Sequence, residues 1–135
     1  MTHFLLDTNI LINAILDEGL RDKKQINYSR NLIKKCLNNP KYKAYVSLIV
    51  IHEYLYIMKN YYKSKGDDYI ESLIKVIGIK NVNVVETTKN EVLEILALYK
   101  FYKKLDFTDV YLIYKSQKNK WNLETFDKGI LEVID

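Results

Sequence analysis

Four acidic residues stand where a strand is predicted to end or a helix to begin, which is where α/β proteins place their ligands. They are Asp7, Glu53, Asp109 and Asp127. Carboxylates that converge on one edge repel each other unless they are protonated or neutralised, so their convergence predicts a bound cation. A hard divalent ion held by carboxylates can activate a water molecule, orient a phosphate and stabilise the departing oxygen. This chemistry suits the hydrolysis of phosphodiester bonds.

The ligand types favour Mg²⁺, with Mn²⁺ as the alternative, over zinc. All four candidates supply oxygen, and the sequence has no cluster of Cys or His residues at the spacing of a zinc site. The single cysteine, Cys36, follows a helical apolar pattern and is predicted to be a buried thiol. His52 adjoins Glu53 but is left out of the site, because neighbouring helix residues point about 100° apart.

Ordinary structural explanations also exist for these acidic residues. Asp7, Thr8 and Asn9 have the composition that caps a helix through side-chain hydrogen bonds. Asp109 is predicted to lie in the first turn of a helix, where a negative charge complements the helix dipole. Taken singly, these explanations suffice, and the metal hypothesis depends on the four carboxylates coming together.

Glu53 lies within the most apolar segment of the chain, residues 47–62. Apolar residues recur there at spacings of three and four, which is typical of a helix. They are Leu48, Ile51, Leu55, Met58 and Tyr62. The other faces of this helix are apolar too, so it is predicted to be largely buried. An ionised carboxylate on a buried helix is costly unless it is paired, hydrogen-bonded or bound to a metal.

Periodicity along the rest of the chain predicts strands that alternate with helices. Strands are predicted at residues 3–6, 44–47, 82–86 and 120–127, the last ending in a polar turn. Helices are predicted at 10–16, 28–37, 47–62, 69–77, 88–102, 110–114 and 128–134, and an exposed loop at 17–24. This alternation implies a mostly parallel central sheet of four or five strands, covered by helices on both faces. Right-handed crossovers would then gather the loops after the strands on one edge.

Length and composition describe one folded domain, which we assign to residues 1–135. Apolar residues make up 48% of the chain and charged residues 28%, unlike a disordered protein. No apolar run approaches the length of a membrane span, and no signal-peptide pattern precedes the first apolar residues. We therefore predict a cytoplasmic protein that does not interact with a membrane.

The net charge of +4, from 21 basic and 17 acidic residues, mildly favours a polyanionic partner. Nineteen of the basic residues are lysines, which bind phosphates as point charges rather than as base-reading forks. Any nucleic-acid contact through them is predicted to involve mostly the backbone. A lysine-rich surface also simply keeps a protein soluble, so charge alone does not select the partner.

The order and spacing of these motifs resemble those of PIN-domain nucleases. Residues 4–12 resemble the opening motif of that family, and Ser47 followed six positions later by Glu53 resembles the second acidic motif. Residues 106–109 resemble the third motif, with its metal-binding aspartate last, and residues 125–128 resemble the fourth. The similarity extends over nearly the whole chain.

The resemblance implies a PIN-like three-layer α/β/α sandwich and Mg²⁺- or Mn²⁺-dependent cleavage of single-stranded or looped RNA. It places Asp7, Glu53, Asp109 and usually Asp127 around the metal. A free-standing chain of this length is most similar to VapC-type toxins, which form homodimers and are held inactive by a small antitoxin protein. The antitoxin peptide is expected to lie across the acidic edge. The apolar helix surface, more than one small sheet covers, also favours a dimer.

Supporting roles follow for several polar neighbours of the four carboxylates. Thr8, Asn9 and Thr125 are plausible hydrogen-bond partners that fix carboxylate orientations. Asp106 is either a supporting acid or a helix cap, and we favour the cap, a role that Thr108 can also fill.

One motif departs from the family pattern. After the fourth motif the family often has a polar or acidic residue and then Phe, whereas Lys128 and Gly129 follow here. Asp127 is therefore the weakest match among the four ligands.

Two other functions compete with the nuclease hypothesis. A catalytically silent module could bind RNA or a protein through its basic and aromatic surface, since tyrosine rings stack on unpaired bases. Most of the 12 tyrosines, however, have core spacing, including Tyr28, Tyr99 and Tyr102. Phosphoryl transfer through an aspartyl-phosphate is disfavoured, because residues 6–9 lack a second acid two positions after Asp7.

Overall fold

The fold is built on a parallel sheet of four strands. The computed structural model describes residues 1–16, 22–64 and 66–134. Its strands are Thr2–Leu6 (β1), Tyr42–Val46 (β2), Val82–Val84 (β3) and Asn122–Glu124 (β4). Their order is β3-β2-β1-β4, and every pairing is parallel. The predicted parallel sheet is therefore confirmed, whereas most of the predicted loop at 17–24, residues 17–21, lies outside the described residues.

Helices cover this sheet and form the other two layers. They are Thr8–Ile15 (α1), Lys23–Asn38 (α2), Leu48–Asn60 (α3), Asp68–Ile77 (α4), Lys89–Phe101 (α5), Phe107–Asn119 (α6) and Lys128–Ile134 (α7). The chain moves from β1 to β2 to β3 and then returns past β1 to β4, so right-handed crossovers place α5 and α6 opposite the earlier helices. In agreement, α1 packs on α2, α3 and α4, whereas α6 packs on α5 and α7. The three-layer α/β/α sandwich is confirmed. No described helix combines the length and apolar character needed to cross a membrane.

Strand β1 is paired on both sides, with β2 and with β4. Leu5 is in register with Tyr45 of β2 on one side and with Leu123 of β4 on the other. The ladder to β4 extends beyond the strand, because the backbone N–H of Asp7 donates to the carbonyl oxygen of Glu124 at 3.0 Å. Residues that follow β1 and β4 therefore lie side by side.

The prediction that α3 is largely buried is wrong. Its buried residues are Val50, Tyr54 and Met58, which recur every four positions on one face. Leu48 is 73% exposed and Tyr56 is 63% exposed, although the first belongs to the predicted seam. Apolar residues on every face made the sequence pattern ambiguous, whereas in the structure the main helix contacts of α3 are with α1 and α4.

The prediction that most tyrosines belong to the core also needs correction. Tyr28 is 46% exposed and Tyr99 is 41% exposed, while Tyr102 is half-buried. In α2 the buried face instead carries smaller residues such as Leu32 and Cys36. The predicted burial of the Cys36 thiol is confirmed.

Candidate functional site

The candidate site lies at the carboxyl edge of the sheet, where β1 and β4 end beside each other. Asp7 directly follows β1 and Asp127 follows β4 after two intervening residues. From β1 the chain crosses towards β2, whereas β4 is on the other side of β1. Open α/β sheets form their ligand crevices at such reversals of strand order.

Asp7 is a buried carboxylate held from two directions. As the N-cap of α1 it accepts a 2.7 Å hydrogen bond at Oδ1 from the backbone N–H of Thr8. Its Oδ2 accepts a 2.7 Å bond from the hydroxyl of Thr125. Burial raises the pKa of Asp7, these hydrogen bonds lower it, and the negative charges of Glu53 and Asp127 raise it further. Asp7 therefore lies within electrostatic reach of two other candidates.

Glu53 is joined to Asp7 through a single threonine. The hydroxyl of Thr8 donates to Glu53 Oε1 at 2.7 Å, while its backbone N–H donates to Asp7. Thr8 is buried, and Glu53 is half-buried on α3. Ser47 begins that helix by accepting a hydrogen bond from the N–H of Val50, which directs the first turns of α3 from the end of β2. Asp7 and Glu53 therefore both accept hydrogen bonds from Thr8.

Asp109 lies in the first turn of α6 and forms a capping box with Asp106. The N–H of Asp109 donates to Asp106 Oδ1 at 2.9 Å, and the N–H of Asp106 donates to Asp109 Oδ2 at 3.4 Å. Of the two possible caps, Asp106 fills the position and Thr108 is buried within the helix. Burial raises the pKa of Asp109 to about 7, helped by the charges of Asp106 and Asp127. Asp109 and Asp7 therefore share one charged neighbour, Asp127.

Asp127 lies between the other candidates in the electrostatic sense, since its charge raises the pKa of both Asp7 and Asp109. Its backbone N–H donates to the Thr125 hydroxyl oxygen at 3.0 Å, and its Oδ1 accepts from the N–H of Ile130 at 3.2 Å. Gly129, where the chain departs from the family motif, lies close to this carboxylate. A Cβ atom at Gly129 would approach Asp127 Oδ1 to 3.1 Å, tighter than ordinary contacts.

Asn9 differs from the two threonines in its surroundings. Its side chain is exposed, and its backbone carbonyl oxygen accepts a 2.9 Å bond from the Asn13 amide. Within the described residues, no hydrogen bond joins the Asn9 side chain to Asp7 or to another candidate carboxylate. The hydrogen-bonding contribution predicted for Asn9 stays a prediction.

A metal ion would have to draw these carboxylates closer together. In the part of the chain that the structure describes, no group of three or more Asp, Glu, His or Cys side chains is close enough to hold a metal ion. The chemistry of the donors nevertheless fits a hard cation, because all are carboxylates, and the pKa of Asp7 and of Asp109 is raised by burial and also by repulsion from neighbouring acidic charges. A divalent charge at this edge would relieve that repulsion.

Sequence reasoning missed an aromatic contact beside the candidate site. The hydroxyl of Tyr28 on α2 donates to Glu124 Oε2 at 2.6 Å, and its ring meets the edge of Phe126 with centroids 5.9 Å apart. Tyr28 had the spacing of a core residue, and no local signal links it to a partner 96 positions away. Its ring reaches the strand end that carries Asp127.

Fold and site together describe an α/β/α protein with acidic side chains at the carboxyl edge of its sheet. The PIN domain family model matches residues 4–135, so the chain belongs to the PIN domain family. PIN domains are generally nucleases, and they typically use divalent metals. No curated protein matches the chain in a sequence search.

Proposed function

We propose that this chain is a Mg²⁺- or Mn²⁺-dependent endoribonuclease that hydrolyses phosphodiester bonds in RNA. The observation that carries the proposal is a series of electrostatic interactions at one sheet edge: Asp127 acts on both Asp7 and Asp109, and Glu53 acts on Asp7. Structural caps have no need of mutual proximity, because each satisfies only its own helix. Acids linked in this way, in a member of a nuclease family, favour a shared cation.

In this proposal the four carboxylates hold the cation, which when bound supplies positive charge to activate water and stabilise the phosphate oxygens. The chain itself contributes orientation. The Thr8 hydroxyl donates to Glu53, and the Thr125 hydroxyl donates to Asp7. Each of these carboxylates therefore has an oxygen with a fixed hydrogen-bond partner. Asp109 must lose its proton to act as a ligand, and burial delays that loss. The expected products carry 5′-phosphate and 3′-hydroxyl ends.

The test is RNA cleavage by purified protein with Mg²⁺, with Mn²⁺ and with chelator. Wild type should cut RNA only with metal, and Asp7→Asn should abolish detectable cleavage while keeping the fold. Asp68→Asn is the matched control, because it removes the same charge from an exposed position on α4. Full Mg²⁺-dependent activity in Asp7→Asn would reject the mechanism. Absence of cleavage by wild type, together with retained RNA or protein binding, would favour the silent binding module.

We further propose that the chain is the toxin of a toxin–antitoxin pair acting in the cytoplasm. The resemblance to VapC-type toxins supports this role, with an antitoxin protein covering the acidic edge. Induction of wild type should arrest growth, Asp7→Asn should not, and co-expression of a cognate antitoxin protein should restore growth. Growth unaffected by wild type at confirmed expression would contradict the toxin role while leaving the nuclease proposal open to the cleavage test.

A homodimer is the last part of the proposal, and an exposed apolar area supports it. Leu48 and Tyr56 of α3 are exposed, as are Val92, Leu96 and Tyr99 of α5. We call these five residues the α3/α5 surface. Leu48 and Val92 line the same open groove, so the two helices form one continuous area. Monomers rarely expose an apolar patch of more than a few hundred Å², and a two-fold axis lets one patch cover its own copy.

A further inference from the structure

Helix α2 differs from the other described helices in its charge. It carries five basic residues and no acidic one. The five are Lys23, Lys24, Arg30, Lys34 and Lys35. Each other helix within the described residues has either no charged residue or charges of both signs. An unbalanced basic helix on a chain of net charge only +4 marks a place for a polyanion.

An open groove runs along this helix. We call it the α2 groove, and its volume is about 450 Å³. Its lining includes Tyr28, Asn31, Lys34, Lys35, Asn38 and Tyr42, and no acidic residue. Tyr28 and Asn38 are ten positions apart on α2, so the groove follows about 15 Å of helix. Cations, amides and aromatic rings are thus arranged along one path.

One end of the α2 groove opens at the candidate active site. Tyr28 bonds the Glu124 carboxylate and packs against Phe126, the residue before Asp127. The backbone carbonyl oxygen of Glu124 in turn accepts the N–H of Asp7. A strand of nucleic acid lying in the groove would therefore continue directly onto the acidic edge. That edge repels phosphates, so cations beside it are needed to hold the substrate backbone.

Both ends of the groove offer aromatic rings in fixed positions. Tyr28 is held by a hydrogen bond at its hydroxyl and a ring contact at its side, yet remains 46% exposed. At the other end Tyr42 stacks on Phe4, and the Lys35 ammonium lies 5.6 Å from the centre of the Tyr42 ring. A ring at each end, with Lys34 and Lys35 between them, suits unpaired nucleotides, whose bases stack on rings while their phosphates meet lysines.

We propose that the α2 groove holds single-stranded RNA beside the acidic edge, with phosphates at Lys34 and Lys35 and a base stacked on Tyr28. The inference rests on the proposed function, because it assumes that RNA is the substrate. It adds the surface that positions the strand and the ring that receives an unpaired base. Lysines here contact the backbone, so the groove selects the form of the RNA rather than its sequence.

RNA binding measured in the presence of a chelator tests the groove independently of catalysis. Fluorescence anisotropy with a labelled single-stranded RNA oligonucleotide should show affinity at least tenfold weaker for Lys34→Gln/Lys35→Gln than for wild type. The slope of log Kd against log salt should fall by about 1.4, as for two lost phosphate contacts on a single strand. Lys75→Gln/Lys80→Gln is the matched control, because it removes two exposed lysines from the β3 side of the sheet. That control should bind like wild type.

Two variants of Tyr28 test the proposed stacking of a base on its ring. Tyr28→Ala should weaken binding about fivefold or more, because it removes the ring. Tyr28→Phe keeps the ring and loses only the hydroxyl, so it should stay close to wild type. A duplex of the same sequence should bind more weakly than the single strand. Equal loss in both Tyr28 variants, or equal binding of duplex and single strand, would overturn the stacking role.

The groove and the nuclease proposal fail in different ways. If wild type cuts RNA with Mg²⁺ but the Lys34→Gln/Lys35→Gln variant binds and cuts as well as the Lys75→Gln/Lys80→Gln control, the groove is wrong and the nuclease stands. If wild type binds RNA through the groove but cuts none with any metal, the groove stands and the nuclease proposal is wrong. Failure of wild type to bind single-stranded RNA overturns the groove.

Discussion

The Thr125 hydroxyl donates a 2.7 Å hydrogen bond to Asp7 Oδ2, joining two residues 118 positions apart. The same hydroxyl oxygen accepts the backbone N–H of Asp127 at 3.0 Å. One buried side chain therefore aligns the residues that follow β1 and β4. The acidic edge depends on such uncharged donors, because they are what offsets the burial of Asp7.

Replacing Thr125 tests this alignment. Thr125→Val keeps the shape but leaves Asp7 Oδ2 and the Asp127 N–H without their hydrogen-bond partner, so the free energy of unfolding should fall by about 1–3 kcal/mol. Metal affinity should fall about 10–100-fold, as is usual when a group that orients a ligand is lost. Urea denaturation and metal titration measure the two effects. Thr125→Ser, which retains the hydroxyl, should recover most of both, and equal losses in Val and Ser variants would contradict the role of the hydroxyl.

The pH dependence of the stability of the metal-free protein should reveal the raised pKa of Asp109. Its pKa of about 7 lies above the ordinary value of 3.8, so the folded protein binds its proton more tightly than the unfolded chain does. The stabilising contribution of this group is full below pH 3.8 and is lost as pH rises through about 7. Asp109→Asn should therefore gain stability relative to wild type as pH increases from 4 to 8. Urea denaturation in chelator at several pH values measures the difference, and a constant difference would contradict the raised pKa.

A buried ion pair between α5 and α6 gives a further prediction. Lys115 is 2% exposed, and its Nζ lies 2.6 Å from Glu91 Oε2 and 2.7 Å from the carbonyl oxygen of Glu86. Lys115→Met would leave Glu91 with only the half-exposed Lys118, whose Nζ lies 3.6 Å from Oε2, so the free energy of unfolding should fall by up to about 3–5 kcal/mol. Adding Glu91→Gln to this variant should recover part of the loss. A loss below about 1 kcal/mol in chemical denaturation would show that the pair is dispensable.

The same pair should affect stability in acid. The hydrogen bond from Lys115 lowers the pKa of Glu91 to about 2, from an ordinary value of 4.5. The stabilisation is therefore present above pH 4.5 and is lost as pH falls towards 2. Glu91→Gln should remove this part of the acid sensitivity, and unchanged acid unfolding in that variant would contradict the pairing.

Local signals made several elements of the fold and site predictable from sequence. The capping box of Thr88 and Glu91 and the cap at Asp106 involve residues within three positions, so chain order reveals them. The position of Asp7 after an apolar strand is equally local. A parallel sheet then brings the strand ends to one edge, which is why Asp7 and Asp127 could be placed together.

Contacts between distant residues were beyond sequence reasoning. The bond from Tyr28 to Glu124 and the pairing of Lys115 with Glu91 join separate elements, and neither partner signals the other. A buried lysine in particular contradicts the expectation that lysines lie on the surface. Which face of α3 is buried could not be predicted either. This helix has apolar residues on all sides, and the elements packed against it determine which of them are covered.

Oligomeric state tests the α3/α5 surface. Leu96→Lys would place a charge near its own copy across a two-fold axis, so dimer affinity should fall by roughly 100-fold or more. Size-exclusion chromatography with light scattering at micromolar concentration should show a dimer for wild type and a monomer for this variant. Leu37→Lys changes another exposed leucine, on α2, and should remain dimeric. A monomeric wild type would contradict the proposed dimer.

Calorimetric titration with Mn²⁺ at pH 8 tests most directly whether the acidic edge shares a cation. Wild type should bind Mn²⁺, and Asp7→Asn, Glu53→Gln and Asp109→Asn should each weaken that binding at least tenfold. The control Asp68→Asn should bind like wild type, since its exposed carboxylate lies on α4. Binding as tight as wild type in all three edge variants, or no binding by wild type, would contradict a shared metal site.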